Sequence, residues 1–350
     1  MSLFAPLLAR LEAAPLPDAL TRIGVDHLVN TTRRQLERTP VGAEAVFAEA
    51  MGLRAVAEHA AAANAQHYEL PPEFFALILG PRRKYSSCWY EGPESTLAEA
   101  EDAALARTAE MAELADGQDV LELGCGWGSL SLWMAERYPG ARITAVSNSA
   151  PQRLYIEGEA KLRGLTNLTV VTADMNHFAA AGRFDRIVSV EMFEHMANWR
   201  ALLGRARGWL RPDGKLFIHV FSHRTTPYRF EVKDSSDWIA QYFFTGGIMP
   251  SHGLIGRFDD LFELEADARW SGAQYQRTAL DWLANYDRNI GEIDQLLRGV
   301  YGEDAALWRR RWRLFFLATA GLFGCQGGEV WGVSHYRLRP AEPAHLLAAE

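Results

Sequence analysis

Cysteine is scarce: the chain of 350 residues has three, Cys88, Cys125 and Cys325, at spacings that match no metal site. That argues against a disulfide framework and suits a reducing compartment, so the expected location is cytoplasmic and no metal is expected. Basic charge is also short, with 36 Lys and Arg against 44 Asp and Glu and a formal net charge of −8. A duplex-binding protein presents a basic face, so nucleic acid is not expected as a partner, and tight adsorption to an anionic bilayer is disfavoured. Long apolar runs are missing too. The stretch Leu314 to Gly324 is too short to span a bilayer and follows Arg309, Arg310, Arg311 and Arg313. The start of the chain lacks a basic segment followed by an apolar run, so no secretory leader is expected. There is no internal repeat, while 48% hydrophobic residues are ample for a packed core.

What the chain does have is centred on Asp119 to Leu130, D-V-L-E-L-G-C-G-W-G-S-L. Val120, Leu121 and Leu123 form a short apolar run that reads as a buried parallel strand. Gly124, Gly126 and Gly128 follow, letting the backbone turn tightly and approach a ligand, and Ser129 to Tyr138 reads as a helix with its N–H groups toward that ligand. The third glycine of a dinucleotide fingerprint would fall at Ser129, and no acid follows the second strand to clasp a ribose. With Glu122 before the turn the pattern is E-x-G-x-G-x-G, which resembles the first motif of class I S-adenosylmethionine-dependent methyltransferases. That ligand is a sulfonium cation with an amino acid tail, and an acidic residue beside the loop suits it.

Helices and strands alternate from there: helix Pro151 to Arg163, helix Asn198 to Leu210, and strands at Arg142 to Val146, Leu168 to Thr172, Phe184 to Val190 and Gly214 to Val220. This predicts an α/β fold, a doubly wound Rossmann-like sheet with ligands at the carboxyl ends of its strands. After the second strand stand Ser147, Asn148 and Gln152, whose amides and hydroxyl could bond a ribose; after the third, Asp174 could accept from an adenine amino group and Met175 pack on the ring. After the fourth comes Glu191-Met192-Phe193-Glu194-His195-Met196. On a helical turn Glu194 and His195 lean to the side of Glu191, and a carboxylate beside an imidazole raises its pKa and orients it as a general base.

The flanks are helical or aromatic. Residues 1–95 read as a helical extension ending in the loop Lys84 to Tyr90; 96–221 as the sheet core; 222–300 as a lid rich in aromatics; and 301–350 as a helix and a last strand, Val330 to Leu338, antiparallel to the sheet. Thr278 to Leu297 reads as one helix. Tyr242, Phe323 and Trp331 suggest an aromatic acceptor pocket.

Five separated strings, H-Y-E-L-P-P-E-F-F, K-Y-S-S-C, E-L-G-C-G-W-G, V-S-N-S-A-P-Q and V-E-M-F-E-H-M, together resemble the methyltransferase branch of plant coclaurine N-methyltransferases and cyclopropane fatty acid synthases, over about residues 65–338. The resemblance implies S-adenosylmethionine as cofactor, with Tyr85 and Ser86 at its methionine end over Gly124 and Gly126. It implies Ser147, Asn148 and Gln152 at the ribose, Asp174 and Met175 at the adenine, and Glu191, Glu194 and His195 toward the acceptor.

The two branches of the resemblance demand different chemistry. An amine acceptor has a pKa of about 10, and bringing it to its neutral form at neutral pH costs roughly 4 kcal/mol, which a nearby base offsets. A synthase-like enzyme instead removes a proton from a carbocation with bound bicarbonate. Glu194, His219 and Tyr275 match that bicarbonate-holding pattern, while its cysteine is Ser87 here and its isoleucine Phe221. The first acidic position, usually glycine in the synthases, is Glu191, as in the N-methyltransferases. The expectation is therefore a small aromatic or alkaloid-like amine as acceptor. The alternative is methylene transfer to an unsaturated phospholipid, the one case with membrane contact. A homodimer is compatible with either.

Overall fold

The computed structural model describes residues 17–58, 70–232 and 237–342. The stretch 1–16 and the His67-Tyr68-Glu69 start of the first string above lie outside the described residues. Among the described residues, four helices precede the sheet: α1 Asp18–Leu36, α2 Ala43–Met51, α3 Pro72–Ile78 and α4 Leu97–Met111. Pro72 opens α3, where a missing N–H costs nothing. A capping box fixes the start of α4: the Thr96 hydroxyl accepts from Glu99 N–H, and the Glu99 carboxylate accepts from Thr96 N–H.

Next comes the expected alternation: β1 Asp119–Leu123, α5 Ser129–Arg137, β2 Arg142–Ser147, α6 Ala150–Leu162, β3 Leu168–Thr172, β4 Phe184–Val190, α7 Trp199–Trp209 and β5 Leu210–His223. The five strands are parallel, with β1 in the middle between β2 and β4. Their central residues are apolar and mostly buried, as Val120, Leu121, Ile143, Ile187 and Leu216 are, and that made them legible. A short hairpin, β6 Tyr228–Arg229 with β7 Ile248–Met249, and the helix α8 Trp238–Tyr242 follow.

The 222–300 segment is not a lid throughout. Phe262–Ser271 forms β8, a strand of the main sheet, and β9 Trp331–Pro340 lies between β5 and β8, antiparallel to both. The sheet order is thus β3-β2-β1-β4-β5-β9-β8. The predicted last strand is antiparallel, as expected, but β8 and not β9 forms the edge. Its Glu263 and Glu265 pair with Arg339 and Arg337 of β9, the charged dressing that protects an edge strand.

The single helix expected over Thr278 to Leu297 is two, α9 Gly272–Arg288 and α10 Ile290–Tyr301, followed by α11 Ala305–Gly324. The break falls at Asn289, whose side-chain amide donates to Leu77 O at 2.7 Å while that of Asn285 donates to Ile78 O at 2.9 Å. Two orphan carbonyls at the end of α3 are satisfied in this way. The helices α9 to α11 pack on α1 and α3 around Phe74, Trp312, Tyr286 and Phe316, and Arg313 pairs with both Asp18 and Asp287. Among the described residues no helix is long and apolar enough to cross a membrane.

Candidate active site

The glycine turn needs its glycines for two different reasons. Gly124 has φ +80°, and a Cβ there would lie 2.5 Å from Met192 Cγ. Gly126 has φ +52° and nothing of the protein within 4 Å of where its Cβ would be. One glycine is required by packing, and the other leaves room. Two cavities meet at this turn, sharing Gly124, Gly126, Gln152 and Glu191.

The first cavity is lined by Ser147, Asn148, Asp174, Met175 and His195. Ser147 Oγ lies 2.6 Å from Gln152 Oε1 and donates to it, which leaves Gln152 Nε2 buried and without a protein partner. An orphaned buried amide donor beside an exposed asparagine fits a ribose diol. Asp174 Oδ1 accepts from Asn176 N at 2.8 Å, fixing the turn after β3, while Met175 is buried. No motif announced what covers this end. The Asn176 side chain clamps Ala57 by both its N–H and its carbonyl, each at 3.0 Å, and Ala57, Glu58 and Thr245 line the cavity.

The second cavity carries Lys84, Tyr85, Ser86 and Glu122. The Tyr85 ring packs against Phe75 and Trp282. Burial pushes the Glu122 carboxyl up to about 7, and its oxygen accepts from Ser131 Oγ. The two cavities together suit a ligand with a ribose and adenine at one end and a zwitterionic amino acid at the other.

Where the cavities share Glu191, the acid cluster differs from the helical turn expected. Glu191 sits just past β4 with φ +48°, and only Phe193–His195 form a 3-10 turn. A glutamate in the left-handed region carries a backbone cost of about 1–3 kcal/mol, and such strain concentrates at functional sites. The turned backbone directs the Glu191 carboxylate to three donors. Oε1 accepts from Ser87 N–H at 2.9 Å and lies 3.3 Å from His219 Nε2, and Oε2 accepts from the Tyr275 hydroxyl at 2.7 Å.

The hydrogen bond from an imidazole to Glu191 therefore comes from His219, brought alongside by the β4–β5 register that pairs Val190 with His219. Burial, with Lys84 nearby, holds the His219 pKa well below the ordinary histidine range. The ring is neutral, and since a carboxylate only accepts, Nε2–H points at Glu191 and Nδ1 accepts from His335 Nε2 at 3.0 Å. The raised imidazole pKa expected from a neighbouring carboxylate does not apply to this ring, because desolvation wins. The His195 ring instead stacks on Phe244 at 4.5 Å and borders the first cavity.

Glu194 is fully buried, with Oε1 accepting from Phe221 N–H at 2.7 Å and Oε2 without a protein partner. Burial, then the charge of Glu191, raises its pKa well above the carboxylate range. Burial also raises that of Glu191, but Lys84 and the bonds from Ser87 and Tyr275 oppose it. Two close buried carboxyls do not both ionise readily, so Glu191 is the charged member and Glu194 the protonated one.

The predicted acceptor residues divide. Tyr275 stacks on Phe323 at 4.3 Å, Phe323 meets Phe221, and Phe221 meets Phe244, an aromatic arc running from Glu191 to His195. Tyr242 lies elsewhere, over the Arg311 guanidinium and against Trp308, and Trp331 is buried against His223. Their aromatic character suggested these two, but neither joins the arc's ring contacts, whereas Phe244, from the aromatic stretch after Ser222, does.

A parallel sheet with a glycine turn after its central first strand, cavities on both sides of that turn and a buried acid beyond them defines a methyltransferase of the S-adenosylmethionine-dependent class. The chain belongs to the mycolic acid cyclopropane synthetase family, whose model matches residues 56–331. A relative, (S)-coclaurine N-methyltransferase of Thalictrum flavum subsp. glaucum, is 37% identical over 275 residues, covering 77% of this chain and 76% of its own. Cyclopropane-fatty-acyl-phospholipid synthase of Escherichia coli (strain K12) is 29% identical over 270 residues, covering 77% of this chain and 66% of its own. A solved coclaurine N-methyltransferase, bound to N-methylheliamine and SAH, superposes with a TM-score of 0.90 at 33% identity, over 97% of this chain and 100% of that one.

Proposed function

We propose that this enzyme N-methylates a small aromatic, alkaloid-like amine using S-adenosylmethionine, in the cytoplasm. The observation that carries the reading is the Glu191 carboxylate held between His219 and Tyr275. Those two residues match the synthases' bicarbonate-holding pattern, and here a side chain of the protein already fills their hydrogen bonds. A fixed carboxylate is the base an ammonium substrate needs.

The donor supplies an electrophilic methyl group on a sulfonium. The remaining work falls to this chain. Gln152, Ser147 and Asn148 would hold the ribose, Asp174 and Met175 the adenine, and Tyr85 and Ser86 the amino acid end. Glu191 attracts the incoming ammonium and takes its proton at a carboxylate oxygen. The neutral His219 and the Tyr275 hydroxyl keep that oxygen pair oriented. The aromatic arc of Tyr275, Phe323, Phe221 and Phe244 offers ring faces to a planar, cationic acceptor. Alignment within this cage contributes to the acceleration.

The test is a panel of isoquinoline, phenethylamine and indole amines against unsaturated phospholipid, with a labelled methyl donor. Label in a methylated amine is expected; label only in the phospholipid would overturn the reading. Asn176→Ala frees the strap at Ala57 and is expected to raise the donor Kd by about tenfold, as loss of two hydrogen bonds would. The kcat at saturating donor should change little, and calorimetry beside steady-state kinetics checks both.

A further inference from the structure

We propose that Lys84 is a positioning residue for methyl transfer, whose buried ammonium fixes the Ser86–Ser87 turn between donor and acceptor and serves as the counter-charge of Glu191. This rests on the amine reading above.

Lysine is seldom buried, yet Lys84 is 2% exposed. Its Nζ donates to Ser86 Oγ and to Ser87 O, both at 2.6 Å. The backbone beneath it is pinned by the fully buried Glu101, whose carboxylate accepts from Arg82 N–H at 2.8 Å and Lys84 N–H at 3.0 Å. Ser87 N–H in turn donates to Glu191 at 2.9 Å, so one residue joins the ammonium to the carboxylate. On the other side, Ser86 and Lys84 line the cavity beside Gly124 and Gly126. With its oxygen engaged by Nζ, the Ser86 hydroxyl has its proton to offer to that cavity.

A neutral donor could satisfy Ser86 and Ser87 equally well, so the charge itself calls for a reason. Cys88, Glu191 and Glu101 face Lys84 and oppose the lowering of its pKa by burial, and its charge also reaches His219 and His335. The groups facing Glu191 are Lys84 and Cys88 of the loop, His219 from β5, Tyr275 from α9 and Glu194 from the 3-10 turn. With His219 neutral, Lys84 is the one cation in that set. Its charge lets Glu191 ionise at lower pH than burial alone would permit.

The test uses Lys84→Met and Lys84→Gln in the full chain. Without the positive charge the Glu191 carboxyl ionises later, so the acid limb of kcat/KM for the amine should move up by about one pH unit in both variants, a roughly tenfold loss below the limb that disappears above it. The glutamine variant retains a donor for the turn and should keep a donor Kd near wild type, while the methionine variant weakens it. A folded Lys84→Gln whose kcat/KM falls evenly at all pH values would overturn the proposal. The wild-type protein gives a reading that needs no variant, because the chain has only four lysines. Nitrogen NMR of labelled lysine should find a Lys84 ammonium still charged at neutral pH, and a neutral amine there would overturn the proposal. A wild type that methylates no amine overturns the functional reading, whereas turnover with an unmoved limb overturns only the role of Lys84.

Discussion

Glu191→Gln is expected to lower kcat with an amine acceptor at neutral pH by about 10³-fold, roughly 4 kcal/mol, while the donor Kd stays within about threefold of wild type. Glutamine keeps the shape, its one oxygen can still accept from Ser87 N–H, and its amide N–H can donate to the Tyr275 hydroxyl oxygen, so the change removes chiefly the charge. The pH dependence gives the sharper signature. In the wild type the ammonium binds and loses its proton to Glu191, and activity falls only as pH drops through the Glu191 pKa. In the variant the substrate must arrive neutral, so the rate should climb about tenfold per pH unit toward the amine pKa of about 10. An equal loss in donor affinity and in rate, measured by calorimetry and steady-state kinetics, would remove the assigned role.

Gly124→Ala is expected to be the most damaging change outside the acid cluster. Its methyl group would meet Met192 Cγ at 2.5 Å with φ at +80°. The left-handed backbone costs about 1–2 kcal/mol and the overpacking about 1–3 more. Since Met192 adjoins Glu191, relief of the clash disturbs both the turn and the acid. A lowered Tm together with a donor Kd raised about 100-fold is the expected result. Gly126→Ala meets no protein atom and so escapes the overpacking, but at φ +52° it shares the left-handed backbone cost of about 1–2 kcal/mol, so its Tm should fall less than that of Gly124→Ala. Thermal melts and calorimetry on the two variants would separate the two roles, and equal behaviour would contradict the distinction.

The contrast between these residues and their neighbours shows what a sequence can disclose. The strands β1 to β5 were legible because their short apolar stretches alternate with helices, and a parallel sheet puts its ligand residues just after its strands. Ser147, Gln152, Asp174 and Met175 were found by that rule alone, and all line one cavity. The edge strand β8 was not found, although Phe262 to Trp270 carries alternating acidic residues; it lies among aromatics that read as a lid. The break at Asn289 exists to satisfy the end of α3, a tertiary cause with no local signal.

At the site, spacing drew attention to Glu191 and Glu194, which the structure brings close together, but it assumed a helical turn. A positive φ at a glutamate cannot be read from composition, and it is this φ that aims the carboxylate at His219, 28 residues further on. The string K-Y-S-S-C begins with Lys84 but assigned it no role, because a lysine in a loop ordinarily faces water.

If Glu191 takes the acceptor's proton, N-methylation needs no bicarbonate. Turnover of the preferred amine is to be measured with and without bicarbonate in carbonate-depleted buffer. The same kcat in both conditions and no product from unsaturated phospholipid are expected. A rate that collapses without bicarbonate and returns when it is added would show that Glu191 is not the base.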